Sequence, residues 1–370
     1  MSETARTDAD SVAVDVVPAI GLALSAFALV GTLAPVRRGV DDPLLLTAAG
    51  FALAATLAFL GRRHGVLSRR TGASVAGVSS LLVVLLSGYA MGRGFMGTTD
   101  VPGLGLSVSL VFVSFLAAGT GVGIAVADLS GISNAGLKRR AVQFLQMLFV
   151  GFAGLLSMSL YAIAITSIAH PLLGELTEVQ QELLTYLSTG LGLGTVAGLY
   201  LLHSERDRSY VDLEVPSLRS VLWVVGGLVV IVVGNYALTV VMTFFGVESA
   251  DHSTTQQAAE NPELLVVMIP AMVLIVGPFE ELLYRNVVQK SLYETFSRYG
   301  AVVVASVIFA FVHVLAYATA SAGRVLISLA IVFGLSLILG TIYERTENLA
   351  VPALVHGLYN AFVFASLYAF

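Results

Sequence analysis

About eleven windows of roughly 18–25 apolar residues follow one another along this chain, and that recurrence leaves few folds open to it. A helix of that length rises about 30 Å, the thickness of a bilayer's hydrocarbon core. The windows fall near 14–34, 44–61, 73–91, 105–127, 141–169, 183–202, 220–245, 264–284, 300–319, 325–343 and 350–369. The expected fold is therefore an all-α polytopic membrane protein with about eleven transmembrane helices. The second window is short enough to suit an interfacial position. The eighth is expected to run past Arg285 as an amphipathic segment, NVVQKSLYETFSRY, that leaves along the membrane surface. Composition agrees: the 370 residues are 57% hydrophobic and 12% charged, with mean hydropathy +0.89, unlike any soluble globular domain. The net charge of −5 is spread over short loops, and no basic stripe suits nucleic acid. Cysteine is absent, which excludes thiol catalysis, disulfides and thiolate metal sites.

Lysine and arginine set the expected orientation, because they concentrate in cytoplasmic loops. With the N-terminus inside, only Arg37, Arg38, Arg93 and Arg324 of the 19 basic residues fall in outer loops. The loops 170–182 and 246–263 carry Glu and Asp but no Lys or Arg, as outer loops should. The N-terminus is thus expected in the cytoplasm and the C-terminus outside, in the plasma membrane of a prokaryote. Residues 1–13 form a polar, net acidic tail unlike the positive start of a signal peptide, so no cleavage is expected. A seam is expected near 130–140, in ADLSGISNAGLKRR. It separates an N-terminal membrane region of about four helices (14–130) from a second membrane domain (141–370). Gly194 and Gly198 in the sixth window form a GxxxG pair suited to close helix packing.

Ionisable residues inside apolar segments are functional candidates by default, since hydrocarbon penalises them heavily. They gather in the last windows. Glu280 and Glu281 sit side by side at the end of a long apolar run, with Arg285 one turn after Glu281. That i,i+4 spacing lets Arg285 hold Glu281 ionised, leaving Glu280 free to act as a general base. Gly277-Pro278 just before them is expected to loosen the helix and admit water. His313 lies thirteen residues into the ninth window, one turn after Phe309, and His356 and Asn360 share a face of the last helix. An imidazole and a carboxamide on one face can both donate hydrogen bonds to a developing oxyanion. If the eighth, ninth and eleventh helices adjoin, one carboxylate, two imidazoles and an amide converge in a water-holding cavity between the last helices. Such a set is a hydrolase constellation that needs neither Ser nor Cys. Alternatively, Glu280, His313 and His356 hold Zn²⁺ with an open fourth position, and the spacing does not choose between the two.

The same residues carry a resemblance. EELLYR at 280–285 resembles the EExxxR motif of the CPBP family, the CAAX-prenyl-protease and bacteriocin-processing (ABI) intramembrane proteins. Phe309 to His313 matches the family's FxxxH motif and His356 to Asn360 its HxxxN motif, in the same order, within a likeness covering roughly 220–370. The resemblance implies that Glu280 and His313 activate water, that His356 and Asn360 support the oxyanion, and that Glu281, Arg285 and Phe309 support the set. It implies an endopeptidase of glutamate or metal-dependent type, acting near the cytoplasmic face on a membrane protein or lipidated peptide. Eukaryotic members trim prenylated CAAX proteins. This chain differs in its extra N-terminal helices and in having almost nothing after the third motif. The alternative reading is a catalytically silent scaffold or bacteriocin-immunity-type protein of the same fold.

Overall fold

A computed structural model describes residues 16–39, 42–101, 103, 105–215 and 217–369, so the expected tail at 1–13 lies outside the described residues. Eleven helices among them are long and apolar enough to cross a membrane, and the protein is an all-α polytopic membrane protein. The chain divides into two compact units. The first is residues 1–141 with 246–248 and 322–327; the second is 142–245, 249–321 and 328–370.

The first unit contains α1 (Val16–Arg37), α2 (Pro43–Arg63), α3 (Arg69–Gly92) and α4 (Leu110–Leu129). Each helix packs on the next, and α1 also packs on α4, closing a four-helix ring. Its buried positions are dominated by Ala, Gly and Ser, including Ala28, Ala52, Ala76, Ala118, Ser80 and Ser114, so the helices approach closely. The second helix is a full 21 residues, N-capped by Asp42, which accepts from the backbone of Leu44 and Leu45. Between α3 and α4 lies an antiparallel ribbon not expected from the sequence, β1 (Thr98–Val101) against β2 (Leu106–Ser109), with Thr98 opposite Ser109.

The second unit holds α5 (Asn134–Leu173, which begins in the first unit's last residues), α6 (Glu178–His203), α7 (Leu218–Phe244) and the short α8 (Ser253–Glu260). It continues with α9 (Pro262–Leu292), α10 (Arg298–Val312), α11 (Ala322–Thr346) and α12 (Ala350–Ala369). α9 is the interior helix: Leu283, Tyr284, Val287 and Val288 are fully or nearly fully buried among Met147 of α5, Leu193 of α6, Ile308 of α10 and Val332 of α11. Its earlier half packs with Tyr186 and Phe364, from α6 and α12.

α9 corrects one expectation. The segment after Arg285 does not leave along the surface. Asn286, Val287, Val288 and Gln289 are fully buried, and the helix continues inside the unit to Leu292. Its backbone widens into π-helical turns at Met272–Val276 and Leu282–Gln289, on either side of Gly277-Pro278. Proline donates no backbone hydrogen bond, and π turns recur at functional sites, where they re-aim side chains. The GxxxG pair of α6 is also only half used. A Cβ on Gly194 would stand 2.9 Å from the Phe279 ring, whereas Gly198 faces open space; a Cβ on Gly192 would stand 2.5 Å from the Met158 backbone nitrogen, the closer approach.

Candidate active site

The site begins with two glycines. A Cβ on Gly277 would lie 2.6 Å from the carbonyl oxygen of Ala353, and one on Gly357 would lie 2.7 Å from that of Met272. Only without side chains can the backbones of α9 and α12 touch there. The contact lays Glu280 and Glu281 against the start of α12. That start is anchored by Asn348, whose Oδ1 accepts from the backbone of Ala350 and of Glu214 while its Nδ2 donates to the carbonyl of Glu214. Pro352 falls in the first turn of α12, and His356 follows one turn later.

Glu281 is completely buried and completely engaged. Arg285 Nε donates to its Oε2 at 2.9 Å, and His356 Nδ1 shares a hydrogen bond of 2.9 Å with its Oε1. Arg285, equally buried, also donates through Nη2 to Ser336 Oγ of α11 at 3.1 Å. The i,i+4 pair is thus present, and its carboxylate does a second task by fixing the His356 ring.

Glu280 is placed differently. Its Oε2 is buried, has no hydrogen-bond partner among the described residues, and stands 3.9 Å from His356 Nε2. Two adjacent carboxylates therefore have opposite surroundings, one neutralised by a guanidinium and an imidazole, the other unpaired beside the same imidazole.

His313 ends α10, where the helix tightens into a 3₁₀ turn, His313–Tyr317. Its Nδ1 lies 2.7 Å from the carbonyl oxygen of Phe309, so Nδ1 carries the proton and Nε2 is left as an acceptor. Phe309 joins the set together: its ring centroid is 4.4 Å from that of His313 and 6.0 Å from that of His356, and Arg285 Cζ sits 5.0 Å over its face. Asn360 is half-buried one turn beyond His356 and makes no hydrogen bond among the described residues. Glu280, Glu281, Arg285, Phe309, His313 and His356 are brought together; Asn360 follows His356 one turn on along α12.

Glu280, His313 and His356 are the residues that would hold a zinc ion in the alternative the spacing left open. Among the described residues no three His, Asp or Glu side chains are grouped to hold a metal, so no step below is routed through one.

Three residues escaped notice in the sequence. Asn286 and Gln289 are fully buried polar side chains on the same π segment as Arg285. Gln289 continues the four-residue spacing of Glu281 and Arg285, a signal visible in the sequence. His252, just before α8, packs edge-on against Tyr317 at 5.1 Å, and burial holds its imidazolium pKa below the usual value.

Residues 262–362, which contain all of these motifs, match the family model of type II CAAX prenyl endopeptidase Rce1-like proteins. This part of the chain is similar to that family, and the likeness supports the resemblance carried by the three motifs. No curated protein and no solved structure matches the chain. The Rce1-like region starts at the first turn of α9 and ends within α12, so it spans the helices that supply every motif residue. At the level of the family, the match supports a CAAX-protease-like intramembrane endopeptidase.

Proposed function

We propose that the protein hydrolyses a peptide bond of a membrane-associated polypeptide near the cytoplasmic face, with Glu280 as general base. One observation carries this reading: the unpaired, buried Glu280 Oε2 beside His356 Nε2, next to a Glu281 that Arg285 has already neutralised. A carboxylate in that position takes a proton from water readily, because nothing else competes for its lone pairs. His313 Nε2, left as an acceptor by the Phe309 carbonyl, orients the water. Glu280 takes one of its protons as the oxygen adds to the scissile carbonyl carbon. His356, held through Nδ1 by Glu281, donates from a protonated Nε2 to the oxyanion, and the Asn360 carboxamide is its companion donor. The C–N bond then breaks as Glu280 returns its proton to the leaving amine. The family match supports a lipidated C-terminal peptide as the substrate class.

The test compares polypeptide termini in membranes of cells carrying wild-type protein or Glu280→Gln. Termini present only with the wild type would establish proteolysis and name the substrate. Identical termini, with the variant at normal abundance, would replace this reading with the silent scaffold.

A further inference from the structure

Hydrolysis deep in an apolar helix bundle needs a supply of water as much as it needs a base, and the polar atoms of α9 are arranged along one line. Some buried side-chain polar atoms lack a hydrogen-bond partner among the described residues. Four of them lie within ten consecutive residues of α9: Glu280 Oε2, Arg285 Nη1, Asn286 Oδ1 and Gln289 Oε1. Orphaned buried groups are costly, and a run of them in one helix calls for a common partner.

The connected side chains lead from the carboxylates to the end of the helix. Glu281 bonds Arg285, Arg285 bonds Ser336, and Gln289 Nε2 donates both to the Gly340 carbonyl at 3.1 Å and to Tyr293 Oη at 2.8 Å. Asn286 Nδ2 donates to Tyr343 Oη, which donates in turn to Asp212. Tyr293, Tyr343 and Asp212 line a cavity of about 260 Å³ with Lys290, Arg298 and Glu344. These residues belong to helix ends and a loop, so the cavity faces the aqueous side. The unpaired Arg285 Nη1 donor and Gln289 Oε1 acceptor flank Gly340, where a Cβ would stand 3.6 Å from the first and 2.8 Å from the second. The two atoms supply a donor and an acceptor, the partners a bridging water needs, and an alanine at 340 would press into the acceptor and into Val302 Cγ1, 3.0 Å away.

We propose that this column is a water inlet, feeding the catalytic carboxylate from the cavity at Tyr293 and Asp212 along Gln289, Arg285 and Asn286. The inlet rests on the hydrolase reading above. It keeps the site hydrated while a polypeptide covers His313 and Asn360.

The experiment is a structure of the full chain in lipid nanodiscs at a resolution that places waters, for the wild type and Gly340→Ala, together with cleavage kinetics of Gln289→Leu. Ordered water within hydrogen-bond reach of both Arg285 Nη1 and Gln289 Oε1 is expected in the wild type and absent from Gly340→Ala. Gln289→Leu, which keeps the shape but breaks the polar line, should lower kcat about tenfold with KM unchanged. Should Gly340→Ala fail to fold, the wild-type waters and Gln289→Leu decide. A dry column in a protein that cleaves, or wild-type kcat in a folded Gln289→Leu, would overturn the inlet alone. A hydrated column in a protein that cleaves nothing would instead overturn the hydrolase reading, and with it the inlet's purpose.

Discussion

Each unit of this protein sets an arginine against a buried carboxylate, and the two pairs are built to different ends. In the first unit Arg62, in the last turn of α2, meets Asp128, near the end of α4, with Nη2 3.2 Å from Oδ1 and Nε 3.0 Å from Oδ2. Their side chains are 18% and 6% exposed, at helix ends where water is near. In the second unit Arg285 and Glu281 are 0% exposed, and each reaches onward to a further side chain. The first pair closes on itself and ties two helices. The second is a link in a chain that runs from Ser336 to His356. A buried ion pair that merely stabilises can be replaced by apolar packing with little loss, whereas one that aims an imidazole cannot.

That contrast can be broken by substitution. Arg285→Met strands the Glu281 carboxylate in the interior and should cost about 3–5 kcal/mol, read as a lowered thermal-unfolding midpoint in detergent, with loss of cleavage. Adding Glu281→Leu to it should recover most of the stability and none of the cleavage, because His356 Nδ1 then loses its partner as well. Recovery of cleavage in the double variant would reduce the second pair to the status of the first. Arg62→Met leaves Asp128 close to water and should cost only about 1–2 kcal/mol, with cleavage retained.

Helix contacts offer a second, smaller contrast. Gly277→Ala drives a methyl group into the Ala353 carbonyl and should cost about 1–3 kcal/mol, lowering cleavage more than stability because it spreads α9 from α12 at the carboxylates. Gly50→Ala, in α2 of the first unit, meets open space and should instead stabilise by about 0.5–1 kcal/mol with cleavage unchanged. Equal effects on cleavage would show that the close approach of α9 and α12 does not set the site.

Much of this architecture is legible from hydropathy alone, since hydrocarbon forces each span to declare itself by length. The ribbon at Thr98–Ser109 is not, because its second strand, LSVS, falls inside the apolar window 105–127 and reads as the start of the fourth span. The pairing of Glu281 with Arg285 is legible because it is local, one helical turn. The bond from Glu281 to His356 spans 75 residues and exists only because two glycines let α9 and α12 meet. The buried course of Asn286 to Leu292 was masked by its own polarity. NVVQKSLY reads as a surface segment until the π turns show its polar side chains facing inward. Polar residues spaced by four after EExxxR were the available clue.

The smallest expected effect concerns His252, which lies outside the membrane-spanning helices. Burial disfavours its charged form, so the folded protein binds its proton less readily than the unfolded chain does. Stability from this group is therefore fully present above the ordinary histidine pKa and is lost as pH falls through it toward the depressed folded value. The loss should be local, loosening the contact of His252 with Tyr317 and the α8 segment that His252 caps through Thr254. Amide exchange of Ser253–Glu260 should rise between pH 7 and pH 5, and His252→Gln should flatten that rise while leaving the pH 7 rate nearly unchanged. A rise that persists in His252→Gln would move the sensitivity to another group.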